Sequence, residues 1–264
     1  KLIILRGIML MAAHCYAASP LENEFFSERD FNYTMSGSRL VFGDAMYGYA
    51  RKGYIAVEEP DAEHGAALKI GMGDTPAAGE TSSPYVVISA RSTTNLTVRF
   101  SVYLSAKSDY RMALYKAASG EERSVEVNAC RWREELELPG GRTLGYEEGR
   151  WYEVCARFDF AAQTAEYTID GDSVKLPFTG IGAVDSVRFY GHTKQANVDF
   201  AMIDDIVLSV KLPPPEIVKL VCDGEETETV SAAAKTLEFY LNTPMHSITP
   251  EQVSLSSGGR AVKV

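Results

Sequence analysis

The pattern that most restricts this chain is a two-residue alternation of apolar and polar side chains, repeated in short stretches from Phe31 to Leu212. Leu96–Ser105 is the cleanest case. Leu96, Val98, Phe100, Val102 and Leu104 alternate with Thr97, Arg99, Ser101, Tyr103 and Ser105, the period of a strand with one buried face. Tyr110–Lys116 and Ser124–Trp132 flank Ser119-Gly120 and read as a hairpin. Ala165–Ile169 and Ser173–Leu176 flank Asp170-Gly171, a dipeptide suited to a turn with positive φ. Trp151–Phe160 places Tyr152, Val154, Ala156, Phe158 and Phe160 on one side. Earlier strands are expected at Arg39–Phe42, Tyr54–Val57, Ala66–Met72 and Tyr85–Ala90. No stretch sustains a helical period. Many short strands at this spacing predict an all-β fold, an antiparallel jelly-roll sandwich.

Ser186–Val210 closes the series with strands at Ser186–Tyr190 and Val198–Val210. On the second, strict alternation puts Phe200, Met202, Asp204, Ile206, Leu208 and Val210 on one face. Ala201, Ile203, Asp205, Val207 and Ser209 take the other. Both faces are mostly apolar, so the strand is central or covered on both sides. A carboxylate buried there must be hydrogen-bonded, paired or bound to a metal. Two readings stay open for Asp204 and Asp205: hydrogen bonds to loop amides or an Arg, or ligation of a structural Ca²⁺. In the second reading an N-terminal oxygen, from Glu28 or Asp30, completes the site.

The first residues have the organisation of a secretory signal. Lys1 and Arg6 supply the positive start, Ile8–Ala13 an apolar core, and Cys15-Tyr16-Ala17 a small-x-small cleavage site. Removal of 1–17 leaves a secreted or cell-surface protein with no membrane insertion. The net charge of −10 argues against nucleic acid and anionic membrane as partners.

The succession LTVRFSVYLS, RWYEVCARFDF, YTIDGDSVKL, SVRFYG and IDDIVLSV resembles the concanavalin A-like lectin/glucanase superfamily. It is closest to laminin-G-like and carbohydrate-binding modules of secreted bacterial proteins. The resemblance covers 25–212 and implies a last strand returning beside the first, with a Ca²⁺ near that junction. After the prolines of 213–216, a stiff linker, the run TLEFYLNTPMHSITPEQVSL is similar to bacterial Ig-like modules of surface-layer proteins. Such a sandwich needs about 100 residues, so 217–264 is expected to be a truncated module with further modules of the same chain beyond it.

Glu59-Pro60-Asp61-Ala62-Glu63 matches the E-x-D-x-E pattern of a jelly-roll glycoside hydrolase family, in which one strand face carries nucleophile, helper and acid. Pro60 opposes a central strand, and the segment reads as an exposed acidic turn. Polysaccharide lyases of this fold use His, Tyr, Arg and Gln on the sheet; His64, His192 and His246 fall in loops instead. Binding without catalysis is the better expectation. If the polar strand faces form one open sheet, Arg99, Tyr103, Arg111, Tyr115 and Trp132 point the same way. Aromatic rings stack on sugar faces, and Arg bonds a carboxylate or sulfate in bidentate fashion. The expectation is a non-catalytic glycan-binding or adhesive module whose partner is a polysaccharide or glycoprotein glycan; the alternatives are a spacer without a ligand and a carbohydrate-active enzyme.

Strict alternation puts Cys130 beside Ser124, Glu126, Asn128 and Trp132, and Cys155 beside Glu153, Arg157 and Asp159. Both thiols then lie on polar faces, in an oxidising compartment. The expectation is a Cys130–Cys155 disulfide, against two unpaired thiols on strands that are not neighbours. No CxxC or Cys/His cluster suggests zinc.

Overall fold

The structure is a computed structural model that describes residues 22–28, 30–36, 38–73, 83–120, 123–192, 199–211, 217–226, 237–241, 255–257 and 260–262. The signal 1–17 and the proline linker 213–216 lie outside the described residues. In chain order the strands are β1 (Glu22–Glu28), β2 (Thr34–Ser36), β3 (Arg39–Phe42), β4 (Met46–Tyr49), β5 (Tyr54–Glu58), β6 (Ala67–Gly71), β7 (Tyr85–Ser92) and β8 (Asn95–Leu104). There follow β9 (Tyr110–Lys116), β10 (Val125–Trp132), β11 (Leu136–Leu138), β12 (Arg142–Leu144), β13 (Trp151–Asp159), β14 (Thr164–Ile169), β15 (Asp172–Pro177), β16 (Val184–Gly191) and β17 (Phe200–Lys211). A short 3₁₀ turn, Pro139–Gly141, joins β11 to β12.

Glu24–Val210 forms one compact unit, and its strands make two antiparallel sheets. The first runs β15-β14-β13-β8-β17-β6-β5, with β1 also paired to β17; the second runs β12-β11-β10-β9-β16-β7-β4-β3-β2. The last long strand lies beside the first, and the all-β sandwich expected from the alternation is observed. The Asp170-Gly171 turn has φ of 47° and 90°, the left-handed pair that a two-residue hairpin requires.

The core lies between the sheets. Phe100 of β8 meets Phe189 of β16 edge-on, with ring centroids 5.0 Å apart, and Phe158 packs on Phe178 at 4.9 Å. Each buried aromatic contributes about 1.5–3 kcal/mol relative to exposure. Tyr167 of β14 is fully buried among them, and its hydroxyl donates to the Ala129 carbonyl of β10 at 2.9 Å. That carbonyl is available because β10 bulges there. Asn128 pairs Ala113 and Cys130 pairs Met112, leaving Ala129 without a partner in the ladder.

The bulge reverses the facing of β10. Glu126 and Asn128 are exposed before it, whereas Cys130 and Trp132 are buried after it, with Arg131 now on the outside. This corrects the expected disulfide. Cys130 faces the core from the second sheet, Cys155 sits on the outer face of the first, and both thiols are free. A second bulge, on β17, does the same to the closing strand. Asp204 pairs Ser101 and Val207 pairs Arg99, with Asp205 at a φ of 49°, a conformation that Asp tolerates better than most residues. Ala201 and Ile203 face the core before this bulge, and Ile206 and Leu208 after it, so Asp204 does not share a face with Ile206 and Leu208.

Beyond Lys211, Ile217–Cys222 pairs with Glu225–Glu226 and Leu237–Leu241 in a small antiparallel sheet, and Leu255–Ser257 pairs with Arg260–Val262. The rest of the expected Ig-like module, including 227–236 and 242–254, lies outside the described residues.

Candidate functional site

One row of outward side chains crosses the second sheet without interruption. The registers place Arg131 opposite Arg111, Arg111 opposite Tyr190, Tyr190 opposite Tyr85, Tyr85 opposite Tyr49, and Tyr49 opposite Arg39. Side chains directly opposite share a face. The row therefore spans six strands, about 24 Å at ~4.8 Å per strand. A second row runs alongside through Asn128, Ala113, Arg188, Val87 and Tyr47. Ala113 keeps that row low, and it is fully covered between its longer neighbours.

The charges here are held by specific bonds. Asp109 precedes β9 and grips two guanidinium groups. Its Oδ1 accepts from Arg111 Nε at 2.7 Å and Arg131 Nε at 2.9 Å; its Oδ2 accepts from Arg111 Nη2 at 2.6 Å and Arg131 Nη2 at 2.8 Å. Burial alone would raise the Asp109 carboxyl, but the bonds and charges of Arg111 and Arg131 outweigh it and hold the group well below the usual range. The Tyr190 hydroxyl lies 3.1 Å from both Glu126 Oε1 and Asn128 Oδ1, and accepts from Arg111 Nη1 at 3.4 Å. Burial, then the Glu126 charge, pushes its pKa up, so it remains a hydroxyl. Arg188 donates to Glu126 Oε2 at 2.9 Å and lies 3.5 Å over the Tyr115 ring.

At the other end the aromatics cluster. Tyr49 and Tyr85 have ring centroids 5.4 Å apart, and Tyr47 meets Tyr49 edge-on at 6.0 Å. Arg39 lies 4.0 Å over Tyr47, and Arg51, from the turn after β4, lies 4.8 Å over Tyr85. All three rings are half-buried. Their flanks are fixed by the sheet, with the Arg39 and Arg51 guanidinium groups beside them and the amide and carboxylate of Asn128 and Glu126 at Tyr190 further along the row. Such a surface stacks on the apolar side of a ring and hydrogen-bonds its polar edge.

Of the residues expected from sequence, Arg111 and Tyr115 lie on this face. Arg99 and Tyr103 belong to β8 and lie on the outer face of the first sheet, on the other side of the sandwich. Trp132 is 3% exposed and edge-on to Phe100 at 6.1 Å; the bulge turns it into the core. The five residues therefore do not form one surface. Sequence reading missed Arg39, Tyr47, Tyr49, Tyr85, Arg188 and Tyr190. Alternation in MYGY (Met46–Tyr49) and in SVRFYG (Ser186–Gly191) carries the signal for four of them.

The outer face of the first sheet has its own cluster. Tyr103 packs between Trp151, at 5.7 Å, and Phe200, at 6.1 Å. His64 stacks on Trp151 with centroids 3.8 Å apart, and its Nδ1 is 3.4 Å from Asp204 Oδ2. The acidic turn accounts for this placement. Asp61 Oδ1 accepts the amides of Glu63 at 3.0 Å and His64 at 2.8 Å, which fixes the turn that carries the imidazole. Glu59, Asp61 and Glu63 thus lie in a turn and not on one strand face. Asp204 is 3% exposed. Burial pushes its carboxyl up, opposed by the Asp205 amide that Oδ1 accepts at 2.7 Å. Glu28 Oε1 is taken by the Phe31 amide at 2.9 Å, and Asp30 is exposed. Among the described residues no three His, Cys, Asp or Glu side chains group to hold a metal ion.

No family model matches the chain, and no curated protein matches it. Solved structures that it resembles include a sialidase (14% identity, TM-score 0.47), lectin II from Ulex europaeus (12%, 0.46) and the Clostridium thermocellum endo-1,4-β-D-xylanase 10B CBM22-1–GH10 modules complexed with xylohexaose (11%, 0.41). The alignments cover 61% of this chain and 16% of the sialidase, 73% of this chain and 99% of the lectin, and 72% of this chain and 29% of the xylanase. None reaches a TM-score of 0.5; the fold stands on the sheet order and registers of the chain itself.

Proposed function

We propose that this protein is a non-catalytic glycan-binding module of a secreted or cell-surface protein, and that the outer face of the second sheet is its binding surface. The observation that carries the reading is the unbroken row Arg131–Arg111–Tyr190–Tyr85–Tyr49–Arg39, set by strand register. An extended oligosaccharide laid across the strands meets aromatic and hydrogen-bonding groups in turn along its length. Rings and guanidinium groups held by the sheet lose little freedom on binding, which favours affinity. The reading is of binding and not of turnover, because the carboxylates of this face are engaged by arginines and a tyrosine.

A glycan-array screen of the full chain tests it. Retention of one structural class of oligosaccharide is the expected result. A chain that is folded by its melting curve and retains no glycan would overturn the reading in favour of a spacer. Release of shortened product would favour an enzyme.

A further inference from the structure

We infer that the outer face of the second sheet selects acidic sugars, those bearing a carboxylate or a sulfate. This rests on the glycan-binding reading above and narrows its ligand class. The chain as a whole carries a net charge of −10, yet this face reverses the sign. Among the described residues, Arg39, Arg51, Arg111, Arg131 and Arg188 stand against Asp109, Glu126 and Glu137. Asp109 is shared between Arg111 and Arg131, and one carboxylate cannot neutralise two guanidinium groups. Glu137 is likewise divided, 3.5 Å from both Arg131 and Arg133.

The surplus is greatest where the aromatic rings cluster. Arg39 and Arg51 lie over Tyr47 and Tyr85, and among the described residues neither has a carboxylate partner. A guanidinium stacked on a ring keeps its in-plane N–H groups directed outward, a fork that matches an oxyanion. Tyr49 sits at the centre: it pairs Arg39 on one side and Tyr85, the ring beneath Arg51, on the other. A sugar set against Tyr49 therefore has, on each side, a guanidinium with no carboxylate partner among the described residues. A hydroxyl accepts one neutral-type bond from such a group, whereas a carboxylate or sulfate accepts two charge-assisted ones. The negative remainder of the protein repels the same polymer elsewhere and confines it to this face.

Nucleic acid is the other polyanion such a face could take, and the chain's overall charge opposes it over any longer footprint. The test titrates the full chain, by calorimetry, with four probes: an oligogalacturonide, its carboxyl-reduced neutral form, a sulfated oligosaccharide and single-stranded DNA. At least one acidic sugar should bind about tenfold or more tighter than the neutral form, weakening as salt is raised. Preference for the uronate or for the sulfate identifies the source of the charge, and either supports the inference. Arg39→Gln and Arg51→Gln, checked for folding by melting curve, should each weaken that binding about tenfold. Equal or tighter binding of the neutral form would overturn the selectivity and leave the glycan reading standing. Unchanged acidic-sugar affinity in both variants would also overturn it. Binding of DNA alone, or of no probe together with an empty glycan array, would overturn both.

Discussion

Replacing Tyr167 with Phe removes one hydroxyl and tests how the two sheets are joined. Its hydroxyl donates to the carbonyl of Ala129, which the bulge leaves without a register partner in the β9–β10 ladder. The ring itself stays, edge-on to Phe158 at 6.0 Å, so packing is nearly preserved. The loss is then that of a buried carbonyl left without a donor, about 1–3 kcal/mol. For a unit of this size each kcal/mol lowers the melting temperature by about 2–4 °C, and the midpoint is taken at roughly 2 kcal/mol. Thermal unfolding by circular dichroism should therefore show a fall of about 4–8 °C. A second change separates this cause from simple loss of a polar atom: Tyr152→Phe, whose hydroxyl bonds the backbone of Glu147 at an exposed loop, should cost well under half as much. A Tyr167→Phe melting curve within about 1 °C of wild type would mean that the carbonyl is satisfied some other way. The bulge would then not depend on the opposite sheet.

Burial raises the Asp204 carboxyl above its unfolded value near ~4. A group shifted up favours the fold fully below the unfolded value and loses that contribution as pH rises through the folded one. Asp204→Asn should therefore gain on its Asp204 parent as pH rises from about 3.5 to 7; measured in a His64→Gln background, which removes the neighbouring imidazole, a pH-independent difference in melting temperature would refute this. Thiol labelling of the native chain, read by peptide mapping, should modify Cys155 and spare Cys130, which burial makes a very weak acid. A Cys130–Cys155 cross-linked peptide in a non-reducing digest would contradict the two-sheet placement.

Much of the fold was legible in sequence because the two-residue period survives wherever one strand face is buried and the other is not. Leu96–Leu104 and Tyr110–Lys116 are cases in point, and Asp170-Gly171 announced its own turn chemistry. What failed was facing, and it failed at the two bulges. A bulge adds one residue to one strand, and no residue type in Asn128–Cys130 or in Asp204–Val207 requires it. Counting by twos past Asn128 therefore sends Cys130 and Trp132 outward, when the structure buries both. The same count across Asp205 aligns Asp204 with Ile206. The candidate site was half legible for a different reason. Arg111 and Tyr115 are outward on their own strand, which alternation can tell. That β9 lies between β10 and β16, and not beside β8, is a matter of strand order, which no local pattern in the sequence encodes. Tyr47 and Tyr49 escaped because Met46–Tyr49 is only four residues long and its glycine weakens the strand signal.

The central claim is that the row across the second sheet binds sugar, and it is tested most directly by the affinity of the best array glycan for Tyr85→Ala beside Tyr103→Ala. Tyr85 stands in the middle of the row, whereas Tyr103 is an aromatic of similar exposure on the opposite face of the sandwich. Losing a stacked ring should weaken binding about tenfold or more in Tyr85→Ala, with Tyr103→Ala indistinguishable from wild type. The reverse result, affinity kept in Tyr85→Ala and lost in Tyr103→Ala, would move the site to the first sheet and contradict the account.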